Sequence, residues 1–143
     1  MFVIAFAPSN QAQPLIGIRG GNPLISITSG LAGGQPFPVI NATTRLDYRP
    51  SAIVTKITVA SSCPGQKFGL KVIPTGVTVG IPSPEVILND GMPAADFITN
   101  IPIGPLRRAR CTLQYTASAS FDQGNSIELG NDVHLVTYTV VAQ

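Results

Sequence analysis

The stretch from Cys111 to Phe121 restricts the fold of this chain more than any other. Its odd positions are apolar or aromatic and its even positions are small or uncharged polar residues, in the run Cys-Thr-Leu-Gln-Tyr-Thr-Ala-Ser-Ala-Ser-Phe. Successive side chains of a β-strand point to opposite faces, so the alternation predicts a strand with one core face. A helix is excluded because apolar residues at every second position would surround it. We expect a central strand that pairs with residues 133–141.

Composition places the rest of the chain in the same class. Charged residues make up 11% of the 143 residues and apolar residues 44%, with 14 glycines and 13 prolines. Strand-length apolar runs recur about every eight to twelve residues with turn signals between them, which is typical of a β-sandwich. Only residues 93–100 have some helical character, and they fit a further strand equally well. So little charge suits a protein that covers much of its surface with copies of itself.

The N-terminal quarter differs from the remainder because Pro and Gly interrupt it often. Residues 1–36 are interpreted as an extended arm and linker, and residues 37–143 as the sandwich body. The arm either forms ordinary edge strands or adds a strand to the sheet of a neighbouring subunit. Its apolar anchors would be Phe2, Ile4, Leu15, Ile16, Ile18, Leu24, Ile25 and Ile27.

The two cysteines, Cys63 and Cys111, each lie at the edge of a strand-like run. An even number of cysteines in a β-rich, charge-poor chain favours a disulfide and an oxidising compartment. The alternative is two unpaired thiols, with Cys111 on the core face.

No catalytic, cofactor or metal motif is present. His134 is the only histidine, no Gly-x-Ser-x-Gly elbow occurs, and one histidine with two separated cysteines does not give a zinc set. The net charge of +2 is too small to indicate nucleic-acid binding, and no apolar run is long enough to span a membrane. We expect a protein that is not an enzyme and that takes no cofactor.

Three weaker signals remain. Arg107, Arg108 and Arg110 are the densest charge, and they indicate a solvated loop, a dibasic processing site or contacts with acidic groups of another subunit. Asn41 begins a glycosylation sequon. Residues 1–12 have the small and apolar residues of a signal-peptide remnant.

Three segments of the last third carry a resemblance: Phe97-Ile-Thr-Asn-Ile, Cys111-Thr-Leu-Gln-Tyr-Thr-Ala-Ser-Ala and Val136-Thr-Tyr-Thr-Val. They resemble secreted bacterial immunoglobulin-like β-sandwich proteins, many of which are surface or fibre subunits. The chain is also similar to pilins that assemble by donor-strand exchange. Its cysteine positions, and the prolines at 8, 14 and 23, depart from the pilin pattern.

These observations together predict an immunoglobulin-like β-sandwich with an extended N-terminal arm. The expected function is that of an extracellular or cell-surface structural subunit, which forms a filament with copies of itself by N-terminal strand addition. The alternatives are a viral coat or decoration protein, or a monomeric adhesion module. Such a module would bind a glycan or receptor through loops 61–67, 89–96 and 122–126.

Overall fold

The computed structural model describes residues 2–6, 15–28, 30, 32–104, 107–120 and 131–143. These residues contain strands and no helix, so the predicted all-β class is confirmed. The strands are β1 (Phe2–Phe6), β2 (Ile16–Arg19), β3 (Leu24–Ile25), β4 (Val39–Tyr48), β5 (Thr55–Ser62), β6 (Gly69–Thr75), β7 (Ile81–Pro82), β8 (Val86–Ile87), β9 (Ala95–Ile101), β10 (Ala109–Ser118) and β11 (Asp132–Ala142). The segment with some helical character is therefore a strand, β9.

Two sheets pack against each other, as the sandwich prediction required. Sheet A has the order β3-β1-β11-β5-β9-β7, and sheet B has the order β2-β4-β10-β6-β8. Inward-facing apolar residues of both sheets form one core, because each long strand alternates buried and more exposed positions. Two tyrosines join the sheets directly: the hydroxyl of Tyr115 on β10 lies 2.8 Å from that of Tyr138 on β11.

The long strands alternate strictly between the sheets. β4, β6 and β10 belong to sheet B, and β5, β9 and β11 belong to sheet A. An immunoglobulin-like sandwich pairs several consecutive strands within one sheet. Because no two consecutive long strands pair here, the immunoglobulin-like topology is not confirmed.

β10 is a central strand, but its predicted pairing with residues 133–141 is wrong. It pairs with β4 and β6, whereas β11 pairs with β1 and β5. Alternation along a strand fixes which side chains point inward, but it does not identify the neighbouring strand. The residues between the two strands, 121–130, lie outside the described part of the chain.

The N-terminal segments are strands of the two sheets. β1 pairs in parallel with β11, β3 pairs with β1, and β2 pairs with β4. Ile4 and Ile25 lie fully in the core, and Leu24 is exposed. The side chain of Phe2 lies outside the described residues, and the remaining predicted anchors are half-buried: Leu15, Ile16, Ile18 and Ile27. The separate extended arm is thus not confirmed, because its short strands find partners in the body.

The predicted disulfide does not form, and both Cys63 and Cys111 are free and buried. Asp132, which lies beside Cys63, accepts a hydrogen bond from the backbone N–H of Phe68. Gly69, the residue after Phe68, pairs with Ser118. Cys63 therefore lies near the Ser118 end of β10, and Cys111 lies at the opposite end, roughly 20 Å of strand away. A disulfide requires Cα atoms within about 7 Å, so the two sulfurs cannot meet.

Candidate functional site

A cluster of three buried side chains lies between the sheets at one end of the sandwich. Cys63 follows β5, and Asp132 and His134 begin β11. β5 and β11 are antiparallel neighbours in which Ser62 pairs with Leu135, so the next step of the ladder brings Cys63 beside His134. One thiol, carboxylate or imidazole atom of each residue lies within 4.8 Å of the corresponding atoms of the other two.

The backbone holds the carboxylate of Asp132 in place. Its Oδ2 accepts hydrogen bonds from the backbone N–H groups of Lys67, at 2.9 Å, and Phe68, at 2.8 Å. A buried carboxylate requires such donors because it has lost its water. The same two bonds tie the connection between β5 and β6 to the start of β11.

His134 is fully buried, and its Nδ1 lies 3.2 Å from the Ser61 hydroxyl. Burial lowers the pKa of the imidazole, while the nearby carboxylates of Asp132 and Asp90 act in the opposite direction. The net shift is downward, so the ring is neutral near pH 7, the state in which imidazole binds metals. The prediction that His134 faces the same side as Val136 and Tyr138 is confirmed by their alternating burial.

The thiol of Cys63 is poorly suited to nucleophilic attack. Burial raises its pKa and Asp132 raises it further, a hydrogen bond with the Val133 backbone lowers it, and Asp90 adds a smaller increase. The thiolate is the reactive form of cysteine, so a buried neutral thiol lacks activation. The cluster thus has the residue types of a Cys-His-Asp triad without the electrostatics of one.

Two loops that the alternative of an adhesion module assigns to ligand binding contact each other beside Cys63. The Gln66 side chain donates to the Leu88 carbonyl at 3.1 Å and accepts from the Asp90 backbone N–H at 2.8 Å. Asp90 in turn accepts from the Cys63 N–H at 2.8 Å. Loops 61–67 and 89–96 are therefore joined near Cys63, whereas loop 122–126 lies outside the described residues.

The arginines gather at a different place. Arg107 and Arg108 are exposed before β10, and the backbone of Arg110 pairs with that of Asp47 on β4. Arg108 also lines a cavity of about 130 Å³ together with Leu15, Ile16, Gly17, Arg19, Asp47, Tyr48 and Arg49. The Asp47 carboxylate in this cavity already lies 3.3 Å from Arg19 and 2.8 Å from Arg45. Contacts of these arginines with another subunit remain a prediction.

Asn41 lies on β4, where its Oδ1 accepts hydrogen bonds from the backbone N–H and the hydroxyl of Thr43, the last residue of its sequon. Its glycosylation remains a prediction.

The outer face of sheet A carries an apolar row, which we call the outer stripe: Val3, Leu24, Val133 and Leu135. Val3 lies between Leu24 and Val133 in the sheet, and Leu135 follows on the same face of β11. Leu24 is 60% exposed, Val133 53% and Leu135 43%. Ser62, the partner of Leu135 on β5, is uncharged too, so the stripe is bordered by polar but neutral positions.

The sequence contains a signal for part of the buried cluster, although no known motif includes it. Asp132 and His134 are two positions apart, so a strand places both on one face. The third member could not be found in this way, because Cys63 is distant in sequence and joins the pair only through the β5–β11 ladder. The prediction that the chain lacks a metal set rested on spacing along the sequence and did not consider this juxtaposition.

Comparisons with protein-family models, with curated proteins and with solved structures gave no match. In the described part of the chain, no helix is long and apolar enough to cross a membrane.

Proposed function

We propose that this protein is a structural subunit that assembles with copies of itself. The observation that carries the proposal is the outer stripe, an uncharged row of apolar side chains on the outer face of sheet A. Contiguous exposed apolar surface is typical of association sites. A second copy is the partner that fits best. Only 11% of the residues are charged, so the chain has few groups with which to recognise a charged partner, whereas a second copy offers the same uncharged apolar surface.

Association through the face of the sheet has support from the state of the sheet edges. The outermost strands β3, β7 and β8 have two residues each, β2 has four, and Pro82 occupies β7. Short edges with proline discourage pairing between strands of different molecules. The ion pair that the described residues of β5 make, between Lys56 and Asp96 at 2.8 Å, lies at the end of β5 away from the outer stripe.

Strand exchange is the second assembly route, and it follows from the sequence prediction. β1 would leave its place between β3 and β11 and occupy the same place in a neighbour. Such an exchange conserves every contact of β1, including the burial of Ile4. The resemblance of the sequence to immunoglobulin-like subunits that exchange donor strands supports this route.

The state of the cysteines bears on whether the assembly is an extracellular fibre or a viral particle, because the two form in compartments of different redox state. The extracellular fibre predicted from the sequence loses the support of a disulfide, since Cys63 and Cys111 are free. Free buried thiols are the usual state in a reducing compartment. They favour, as the second candidate function, a viral coat or decoration subunit that assembles inside a cell.

The test is the size of the full-length protein across a range of concentrations, by light scattering after size-exclusion chromatography and by negative-stain microscopy. We expect large assemblies, and we expect Val133→Lys with Leu135→Lys to give folded monomers. Ile87→Lys is the matched control, because Ile87 is 56% exposed but lies on β8 of sheet B. The proposal would be refuted if the unsubstituted protein were monomeric at every concentration, or if Ile87→Lys disrupted the assemblies as much as the double substitution. The adhesion module would then be the better hypothesis.

A pair of cysteine substitutions separates the two routes. Val3 and Val133 are direct partners on the outer face, so Val3→Cys with Val133→Cys is placed to form a disulfide. A cross-linked monomer on a non-reducing gel indicates that β1 stays in its own sheet and that the outer stripe makes the contact. A ladder of cross-linked chains indicates strand exchange.

A further inference from the structure

We propose that Cys63, Asp132 and His134 form a binding site for one divalent transition-metal ion, and that zinc is the ion their donor atoms fit best. The proposal rests on the mutual distances of at most 4.8 Å between one ligand atom of each residue, and on the burial of all three side chains. It does not depend on how the protein assembles.

The chemistry of the donors selects the metal. Thiolate, imidazole and carboxylate are the three ligand types that proteins use for zinc, with bond lengths of about 2.0–2.3 Å. A tetrahedral site built from such bonds places its donor atoms about 3.4–3.6 Å apart, so a pair of atoms at the upper distance of 4.8 Å closes by about 1.3 Å when the ion binds. Calcium and magnesium are disfavoured because they require oxygen ligands, which two of these three residues do not supply.

The surroundings orient each ligand as outer-shell groups do in metal centres. One Asp132 oxygen is held by two backbone N–H groups, and the Ser61 hydroxyl lies at 3.2 Å from Nδ1 of His134. A histidine ligand in a metal centre commonly uses one nitrogen for the ion and the other for such a partner. These contacts orient the Asp132 and His134 side chains before any metal binds, and the approach to bonding distance accompanies binding.

Asp90 is the candidate for a fourth ligand. Its carboxylate accepts from the Cys63 N–H at 2.8 Å, and it acts electrostatically on both Cys63 and His134. The bound ion would then join three parts of the chain: the end of β5, the start of β11 and the turn that contains Asp90. Zinc in this position would have a structural role, because the three core ligands are buried away from substrates.

The experiment titrates the chelator-treated full chain with zinc by calorimetry and with cobalt(II) by absorption spectroscopy. We expect one equivalent of zinc to bind and to raise the melting temperature, and cobalt(II) to give the charge-transfer band of a thiolate ligand. Absence of saturable zinc binding, or a cobalt spectrum without that band, would overturn the proposal. Both outcomes are read from the unsubstituted protein.

Substitutions then assign the ligands. Cys63→Ala should abolish the thiolate band and weaken zinc affinity by more than about 100-fold, and Ser61→Ala should weaken it by about 10–100-fold through loss of orientation. Cys111→Ala is the matched control, since Cys111 is equally buried but lies at the far end of β10. Loss of the band in this control, or its survival in Cys63→Ala, contradicts the assignment.

Discussion

At the scale of single residues, the contact between Tyr115 and Tyr138 is the clearest link between the two sheets. Tyr115 is fully buried on β10, and the ring of Tyr138 on β11 packs against Phe97 with 5.2 Å between ring centroids. Their hydroxyl groups meet at 2.8 Å inside the core. The pair therefore makes a direct hydrogen bond between sheet A and sheet B, which apolar side chains of similar size could not make.

We expect Tyr115→Phe to lower the free energy of unfolding by about 1–2 kcal/mol, because it removes one partner of a buried hydrogen bond. Urea denaturation followed by circular dichroism measures the change. Replacing both tyrosines by Phe should cost less than the sum of the two single substitutions, since neither hydroxyl then stays buried without the other. Additive costs would show that the two hydroxyls are not coupled.

The residue scale also shows what sequence reasoning could and could not find in the candidate site. The inward direction of His134 follows from the alternation of Val136 and Tyr138, and the structure agrees. The partner of Cys63 was sought in Cys111, whereas its neighbours are a carboxylate and an imidazole. The number and positions of the cysteines in the sequence cannot reveal at which end of the sandwich each one lies, and that placement decides whether the two sulfurs meet.

At the scale of elements, β1 is the strand whose position most affects the functional interpretation. Its central residue, Ile4, has no exposed surface, and its neighbour Val3 belongs to the outer stripe. One short strand thus supplies both core and surface of sheet A. An arm that extended away from its own chain would contribute neither a core residue nor outer-face residues to that chain's sheet A.

Substitution of Ile4 tests this placement. Ile4→Ala should lower the free energy of unfolding by about 2–5 kcal/mol, because it leaves a cavity in a packed core. Leu24→Ala, on the neighbouring strand but 60% exposed, should change it by no more than about 0.5 kcal/mol. Chemical denaturation of dilute protein measures both, and equal small effects would place β1 outside the core.

The individual strands were more predictable than their arrangement. β5, β10 and β11 could be recognised because β-branched and aromatic residues alternate with polar ones along each of them. Their neighbours could not be recognised, since strand pairing depends on contacts between distant residues such as Val3 and Val133. The prolines of the N-terminal segment suggest breaks in an arm, but the short strands of this segment belong to different sheets, β1 and β3 to sheet A and β2 to sheet B.

At the scale of the whole molecule, all three tyrosines of the chain are buried and in the neutral form. Burial raises the pKa of Tyr48 from its ordinary 10.0 to about 12, with the Val79 carbonyl as the hydrogen-bond acceptor of its hydroxyl. Burial also raises the pKa values of Tyr115 and Tyr138. The folded state thus excludes the tyrosinate form at every tyrosine.

This exclusion predicts unfolding in alkali. A folded-state pKa above the unfolded value gives stability that is complete below about pH 10 and declines as the pH rises through about 12. Tyrosinate absorbance and the loss of circular dichroism should therefore rise together between these values. In denaturant, the same absorbance should titrate near pH 10. Tyrosinate formation that precedes the loss of structure would contradict the burial of these side chains.

The parallel pairing of β1 with β11 also determines when this protein can complete its fold during translation. β1 emerges from the ribosome before every other strand in the described residues, but β11, the strand beside it, emerges after all of them. Every crossing between the sheets adds contacts of long sequence separation, which slow folding and leave apolar strands exposed meanwhile. Until β11 is made, β1 has only the two residues of β3 as a partner in the sheet. During that interval Ile4 lacks the cover that the finished sheet gives it, so we expect slow translation to lengthen the time in which apolar residues of β1 are exposed.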